Sequence, residues 1–311
     1  MLTTRLYEQI LVNPALQGYF ELHIVSGYSS ATFLRKHLGD ILEINPHVKI
    51  NLIIGMNQKR RDHLAYLNLE RNYPTIFKGY YFCSKPEVHS KVYCWTKSAS
   101  DMKGFSGSAN YSQFGFFNSK QQNQMVEGYP AQIREYFDSL LEKSIPIKNY
   151  SLKSEEVITH SPIDGSVPPG HIEWVEPNES VRISLLSKAG ELPSRSGLNW
   201  GQRPEHKRDP NQAYLSIRTD ATKEGFLPEK KFTFTLITDD EKTLDCTVQQ
   251  DGRKAISTTD DNSILGRYFR NRLGVRSGAM IRKQDLLDYG RSDFLLRKLD
   301  DETFFLDFSP P

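Results

Sequence analysis

The sequence predicts an α/β domain followed by a mainly β domain. Three observations carry this. Apolar, β-prone runs alternate with helix-period runs up to residue 143, a proline-rich stretch follows, and beyond it the runs become short and alternate with period two. The 311 residues suffice for two domains at roughly 100–200 residues each.

The elements follow in order. YFELHIVSGY (19–28) is apolar and β-prone and ends near a glycine. SSATFLRKHLGDIL (29–42) opens on serines able to cap a helix and continues with helical periodicity. VKINLIIGM (48–56) has the unbroken apolar character of a buried strand, and QKRRDHLAYLNLERN (58–72) that of an amphipathic helix. KGYYFCS, VHSKVYCW and MKGFSGSA are three further strands. PAQIREYFDSLLEK (130–143) carries proline at its first helical position and closes the domain. Pro146, Pro162, Pro168, Pro169 and Pro177 then mark a linker. The expected division is 1–150, a linker over 151–178, and 179–311. In the last part VRISLLS, QAYLSIR, KKFTFTLIT, KTLDCTVQQ and FFLDF are strands of a barrel or sandwich, with one helix, SILGRYFRNRLGV (263–275).

Composition narrows the class. The chain is 38% hydrophobic and 25% charged, ordinary for a globular protein, and has no apolar run near the ~18 residues of a membrane span. Its N-terminus lacks a signal peptide's unbroken apolar core. Cys83, Cys94 and Cys246 are odd in number and far apart, which argues for buried free thiols in a reducing compartment, the cytoplasm. Net charge is only +2, but residues 1–150 hold 17 Lys/Arg against 12 Asp/Glu, and the rest 23 against 26, so the first half is basic. That balance is compatible with an anionic substrate.

One stretch of the first half concentrates chemistry. HSK at 89–91 is followed by GSAN at 107–110. On a strand, His89 and Lys91 would project from one face. Gly107 allows a tight turn that presents Ser108 and Asn110. A neutral imidazole is a competent nucleophile near pH 7 and can shuttle a proton. An ammonium and short polar donors suit the non-bridging oxygens of a phosphoryl group. The set fits attack on a phosphodiester without a metal or other cofactor. A second His-x-Lys, His47 with Lys49, has no downstream Gly-Ser and starts a core strand after a proline, so it reads as structural.

These motifs resemble those of the phospholipase D superfamily, in particular its nuclease branch. The resemblance implies a mixed sheet flanked by helices. It makes His89 the nucleophile that forms a phosphohistidine, Lys91 and Asn110 the phosphate ligands, and Ser108 their support. Many members carry an acid a little over ten positions past the Asn, which orients the histidine. Gln124 stands roughly there, with Glu127 the nearest acid. The Asp that follows His-x-Lys in lipid-cleaving members is replaced by Thr96, which favours the nucleases. The chemistry needs two such motifs, one His attacking and one protonating the leaving oxygen. The chain holds one convincing copy, so a homodimer through the N-terminal domain, with a composite site, is expected.

The second half resembles, more loosely, the DNA-binding pseudobarrel of plant B-three-type transcription factors, which follows a phospholipase D-type domain in restriction endonucleases of the NgoFVII type. The words that carry it are SRSGLNWGQR (194–203), PNQAYLSIR (210–218), QDGRKAI (250–256) and the helix at 263–275. Arginine reads guanine and Asn or Gln reads adenine. Arg195, Ser196, Asn199, Trp200, Gln202 and Arg203 are therefore candidate DNA-binding residues on a first arm, Tyr289 and Arg291 on a second, and Arg253 and Lys254 candidate phosphate clamps. Of the arginines on and just after this helix, Arg267, Arg270, Arg272 and Arg276, most are expected on a solvated or phosphate-facing side rather than as base readers.

The resulting expectation is a sequence-specific, metal-independent endonuclease of double-stranded DNA, of the restriction–modification kind. A cognate methyltransferase and a separate ATP-driven translocase are further partners that the resemblance admits. The chain itself has no phosphate-cradling GxxxxGK[ST] loop. The alternative is a DNA-binding protein whose nuclease half is inactive or waits on a partner ATPase. A metal-dependent nuclease would draw on DDEK (239–242) or PEKK (228–231), both of which read as hairpin turns. A phospholipid hydrolase would need a lipid-binding amphipathic segment, and the second half offers none.

Overall fold

The computed structural model describes residues 1–56, 62–117, 122–152, 167–175, 179–217, 225–230, 232–249 and 255–310. The chain divides into two compact units, Met1–Val157 and Ile158–Pro311.

In the first unit a π-helical stretch, Tyr7–Val12, runs into α1 (Asn13–Leu16). There follow β1 (Glu21–Ser26), α2 (Ala31–Ile44), β2 (Lys49–Ile54), α3 (His63–Asn72), β3 (Phe77–Phe82), β4 (Lys91–Ser98), β5 (Asp101–Gly107), α4 (Gln113–Phe117), β6 (Met125–Glu127), α5 (Pro130–Leu141) and β7 (Ser144–Pro146). Seven strands form one sheet in the order β6-β5-β4-β1-β2-β3-β7. The helical crossovers α2 and α3 make β1, β2 and β3 parallel. The two-residue connection after β4 makes β4 and β5 antiparallel, and β6, reached through the longer segment that carries α4, also pairs antiparallel with β5.

Burial on both faces explains the nearly continuous apolar runs in the central strands. Leu22 and Ile24 of β1 face a core shared with Phe33, Leu34, Leu38 and Ile41 of α2. Val25, one position out of phase, joins Ile53, Phe82, Phe137 and Leu140 under α5. Of the serines expected to cap α2, Ser30 does so: its hydroxyl accepts from the Phe33 amide at 3.3 Å. At the β6 edge of the sheet, Leu2 donates to the Met125 carbonyl at 2.6 Å and accepts from its amide at 2.9 Å.

The second unit comprises β8 (Ile172–Val175), β9 (Ser180–Ser184), β10 (Leu215–Ser216), β11 (Thr233–Thr238), β12 (Thr243–Gln249), β13 (Ala255–Thr258), α6 (Ser263–Arg272), α7 (Lys283–Tyr289), β14 (Asp293–Lys298) and β15 (Thr303–Asp307). Its sheet runs β10-β13-β12-β11-β15-β14-β9-β8, and only β11 and β15 pair in parallel among the described strands. Phe234, Leu236, Phe269, Phe294, Phe304 and Leu306 fill its core.

Several boundaries differ from expectation. β7 and β8 lie in the proline-rich stretch, and β8 pairs with β9, so the second sheet begins before residue 179. Residues 153–166 lie outside the described residues. The helix expected to reach 275 ends at Arg272, because Gly274 takes φ of 67°. Cys94 and Cys246 are buried free thiols as expected, whereas Cys83 is exposed. Among the described residues no helix is long and apolar enough to cross a membrane.

Candidate active site

Strand β4 begins at Lys91, and His89 precedes it outside any strand. The expectation that both side chains leave one face of one strand is therefore corrected. His89 is exposed, and its ring makes no hydrogen bond among the described residues. Lys91 is buried and turns back, its Nζ donating to the His89 carbonyl at 2.5 Å. Burial lowers the pKa of this ammonium.

The end of β1 gathers the site. Ser26 pairs with Lys91 in the β1–β4 ladder. Gly27 lies directly beneath His89: a Cβ there would come within 3.0 Å of the ring Cδ2 and 3.2 Å of the Cα. The Tyr28 amide donates to Asn110 Oδ1 at 3.2 Å. His47 is exposed, and its companion Lys49 pairs with Glu21 at the opposite end of β1 from Ser26. Five residue steps along the strand separate the two ends, roughly 16 Å, so His47 is no second catalytic histidine within this unit.

Ser108 is fixed on the other side. Its hydroxyl donates to Asn123 Oδ1 at 3.0 Å and accepts from the Gln124 amide at 3.1 Å. Asn123 is buried and its Nδ2 donates to the carbonyls of Phe114 and Gly115, at 3.2 and 3.1 Å, which leaves its oxygen facing Ser108. Sequence reasoning passed over Asn123, because nothing in the polar run Gln-Gln-Asn-Gln singles it out. Gln124 is tied to Ser108 only through its backbone. Its exposed amide has no hydrogen-bond partner among the described residues, and Glu127 lies exposed on β6. Gly107 earns its place by close approach, since a Cβ would come within 2.1 Å of the Gln124 carbonyl.

In the second unit the candidate residues separate into two groups. Asn199 is fully buried; its Nδ2 donates to Pro193 and Ile281 carbonyls at 3.1 and 2.8 Å and its Oδ1 accepts from the Ile281 amide at 2.9 Å. Gln202 donates to the carbonyls of Pro210 and Gly278. Arg291 is buried between Asp293 and Asp307, at 3.0 and 2.9 Å. Tyr289 stacks on Phe308, accepts from Arg272 and donates to the Phe308 carbonyl. These four tie loops to the core rather than reach outward. Arg195 remains mostly exposed, in an ion pair with Glu205 at 3.2 Å. Arg203 is half-buried and donates through Nε to the Arg195 carbonyl. Ser196 is half-buried, and half-buried Trp200 carries the Arg208 guanidinium 4.0 Å above its ring. Arg253 and Lys254 lie outside the described residues.

The helix arginines also divide. Arg270 is fully buried and donates to the carbonyls of Gly266, Ala279 and Pro210, and Arg272 is bound to Asp239 at 2.7 Å, which corrects the expectation of a solvated row. Arg267 on α6 and Arg276, four residues beyond its end, are exposed. The same contacts engage Asp239, and Thr238 and Tyr268 hold Asp240, so these carboxylates belong to the hairpin they close. Among the described residues no three His, Cys, Asp or Glu side chains converge as metal ligands would.

A family model described as the NgoFVII restriction endonuclease N-terminal PLD domain matches residues 4–154. A second, the NgoFVII C-terminal B3-like DNA-binding domain, matches residues 174–300. Among solved structures, the chain is similar to NucT from Helicobacter pylori at 15% identity and a TM-score of 0.33, covering 47% of this chain and 96% of that one. It is similar to Nuc of Salmonella typhimurium, a phospholipase D family member, at 8% identity and a TM-score of 0.32, covering 43% and 88%. A polyphosphate kinase from Porphyromonas gingivalis aligns at 16% identity and a TM-score of 0.31, covering 44% of this chain and 21% of the kinase. No curated protein matches the chain.

Proposed function

The chain belongs to the NgoFVII restriction endonuclease family, and from that premise we propose that it cuts double-stranded DNA at a specific sequence through a phosphohistidine on His89, without a metal ion. In the first step a ring nitrogen of His89 attacks phosphorus in line, a P–N bond forms, and the bond to the leaving DNA oxygen breaks. That oxygen takes a proton from a second imidazole, which becomes the general base for water in the second step. Water attacks the phosphohistidine, the P–N bond breaks, and His89 is restored with a phosphate end on the DNA. The second imidazole is the His89 of another copy of the chain, in a homodimer joined through the first unit. Lys91 and the Asn110 amide bind the non-bridging oxygens.

The observation that carries this reading is the convergence at the end of β1, where three consecutive residues touch Lys91, His89 and Asn110 in turn. His89 is exposed, which leaves its ring open to an incoming phosphodiester. In the second unit Arg195, Arg203 and Trp200 are the DNA-contacting residues on the first arm.

The test is cleavage of plasmid DNA in EDTA by the wild type and by His89→Ala. Wild-type cutting that persists in EDTA, a covalent adduct with ³²P-labelled DNA on a denaturing gel, and loss of both in His89→Ala are expected. Cutting that stops in EDTA and returns with Mg²⁺ refutes the mechanism. A second reading has one observation in its favour: no described side chain orients the His89 ring. In it the chain binds its site and cuts only with a partner ATPase, so purified enzyme would bind DNA specifically and leave plasmid intact.

A further inference from the structure

The segment Ser26–Gly27–Tyr28 holds a buried polar group that the mechanism above does not use. Ser26 is fully buried. Its hydroxyl donates to the Tyr28 carbonyl and accepts from the Tyr111 amide at 2.9 Å. Those two bonds grip the chain on both sides of the site: Tyr28 follows the glycine under His89, and Tyr111 follows Asn110. The two loops are closed further by the Ser30 amide on the Tyr111 carbonyl, 3.0 Å, and by the Ser29–Tyr111 bridge.

The consequence falls on the Asn110 amide. Its two ends are chemically opposite, one acceptor and one double donor. The Tyr28 N–H can face only the acceptor, so Oδ1 turns inward, with the Ser26 hydroxyl 3.5 Å away. Both N–H donors of Nδ2 then remain without a partner among the described residues. A phosphate oxygen needs that end. An amide turned the other way would set its oxygen against the anion.

We infer that Ser26 is a positioning residue for phosphate binding: by clamping Tyr28 and Tyr111 it fixes the polarity of the Asn110 amide, so that Nδ2 is presented to the phosphodiester. This rests on the reading of Asn110 as a phosphate ligand. Ser26 does not touch substrate. It acts through the backbone amide of Tyr28.

The experiment is a double-mutant cycle on the full chain, with bis(p-nitrophenyl) phosphate as a sequence-independent phosphodiester and plasmid as the DNA substrate. The variants are Ser26→Ala, Asn110→Ala and the pair. Ser26→Ala is expected to slow hydrolysis by about 30-fold or more in the Asn110 background, and by less than about threefold once Asn110 is already alanine, as coupled groups require. A loss of equal size in both backgrounds, which a general loosening of the fold produces, overturns the inference, and so does an unchanged rate. Where Ser26→Ala does not fold, Ser26→Cys keeps the volume with a poor acceptor; the inference requires a folded, slow enzyme, and full activity overturns it. Asn110→Asp supplies an independent arm. It still accepts from Tyr28 but presents a second oxygen, so the fold should hold while hydrolysis falls as far as in Asn110→Ala. Asn110→Ala cleaving at the wild-type rate would instead overturn the reading of Asn110 itself, and Ser26's role with it.

Discussion

The Lys91 ammonium donates to the main-chain carbonyl of His89 at 2.5 Å, so the cation is braced against the very residue that carries the proposed nucleophile. Lys91→Met removes the charge and keeps the length. Cleavage should fall by about 100-fold or more, the order expected for removing a charged donor from a phosphoryl site. Stability should not fall with it, because burial disfavours the charged amine and lowers its pKa. The sign is that of a depressed base: its cost is present below the folded-state pKa and fades as pH rises toward the unfolded value. Thermal melts at pH 7 should place Lys91→Met level with the wild type or above it, with the gap closing at alkaline pH. A midpoint several degrees lower would mark Lys91 as a structural tie.

Two other histidines should make the first unit acid-sensitive. Burial, then the neighbouring Arg134 guanidinium, lowers His23 from 6.5 to about 4. Burial lowers His37 to about 4 as well, while its ring bridges the Tyr111 hydroxyl and the Leu11 carbonyl. Between these values the unfolded chain takes protons that the folded chain refuses. The stability they contribute is complete above pH 6.5 and drains away as pH falls toward 4, about 3 kcal/mol for each ring. Urea melts at pH 7 and 4.5 should show a smaller difference in His37→Gln than in the wild type. Equal differences would remove His37 from the account.

Gly27 should be intolerant of a single methyl. The Cβ of Gly27→Ala would press on the His89 ring and backbone, at 3.0 and 3.2 Å. His89 is exposed and can yield, so the fold should survive while the ring leaves its line of attack. A displacement near 1 Å can cost on the order of 100-fold in rate. Normal thermal stability with strongly reduced cleavage is the expected pair of results. Full activity would mean that the ring's position is set elsewhere.

In the second unit, stability and recognition should separate by residue. Asn199→Ala strands the buried carbonyl and amide of Ile281, at about 1–3 kcal/mol for each unsatisfied group, together with the half-buried Pro193 carbonyl, and should lower the melting temperature clearly. Arg203→Ala should leave melting nearly unchanged and weaken DNA binding, measured by fluorescence anisotropy on duplex selected by the wild type. Reversed outcomes would exchange the roles of the two residues.

Much of the first unit is legible in the sequence, because continuous apolar runs, a serine cap and an N-terminal proline each report local physics. α7 is not: seven residues that bury one leucine, Leu286, leave almost no periodic trace. The motifs His-Ser-Lys and Gly-Ser-Ala-Asn mark the site, yet the segment that assembles it, Ser26 to Tyr28, reads only as the end of a strand. Its role depends on contacts more than 60 residues away in the chain, with Lys91, His89 and Asn110. In the second unit the difficulty is of another kind. The donors that read bases are the donors that tie loops, so Asn199, Tyr289 and Arg291 are indistinguishable from base readers until their burial is seen.

The bridge between Leu2 and Met125 has a practical consequence for anyone producing the enzyme. Met125 adjoins Gln124, whose backbone holds Ser108, so an affinity tag placed ahead of Met1 would emerge within a few residues of the loop that presents Ser108. A tag that strips Leu2 from the sheet edge leaves β6 open to strands of other molecules.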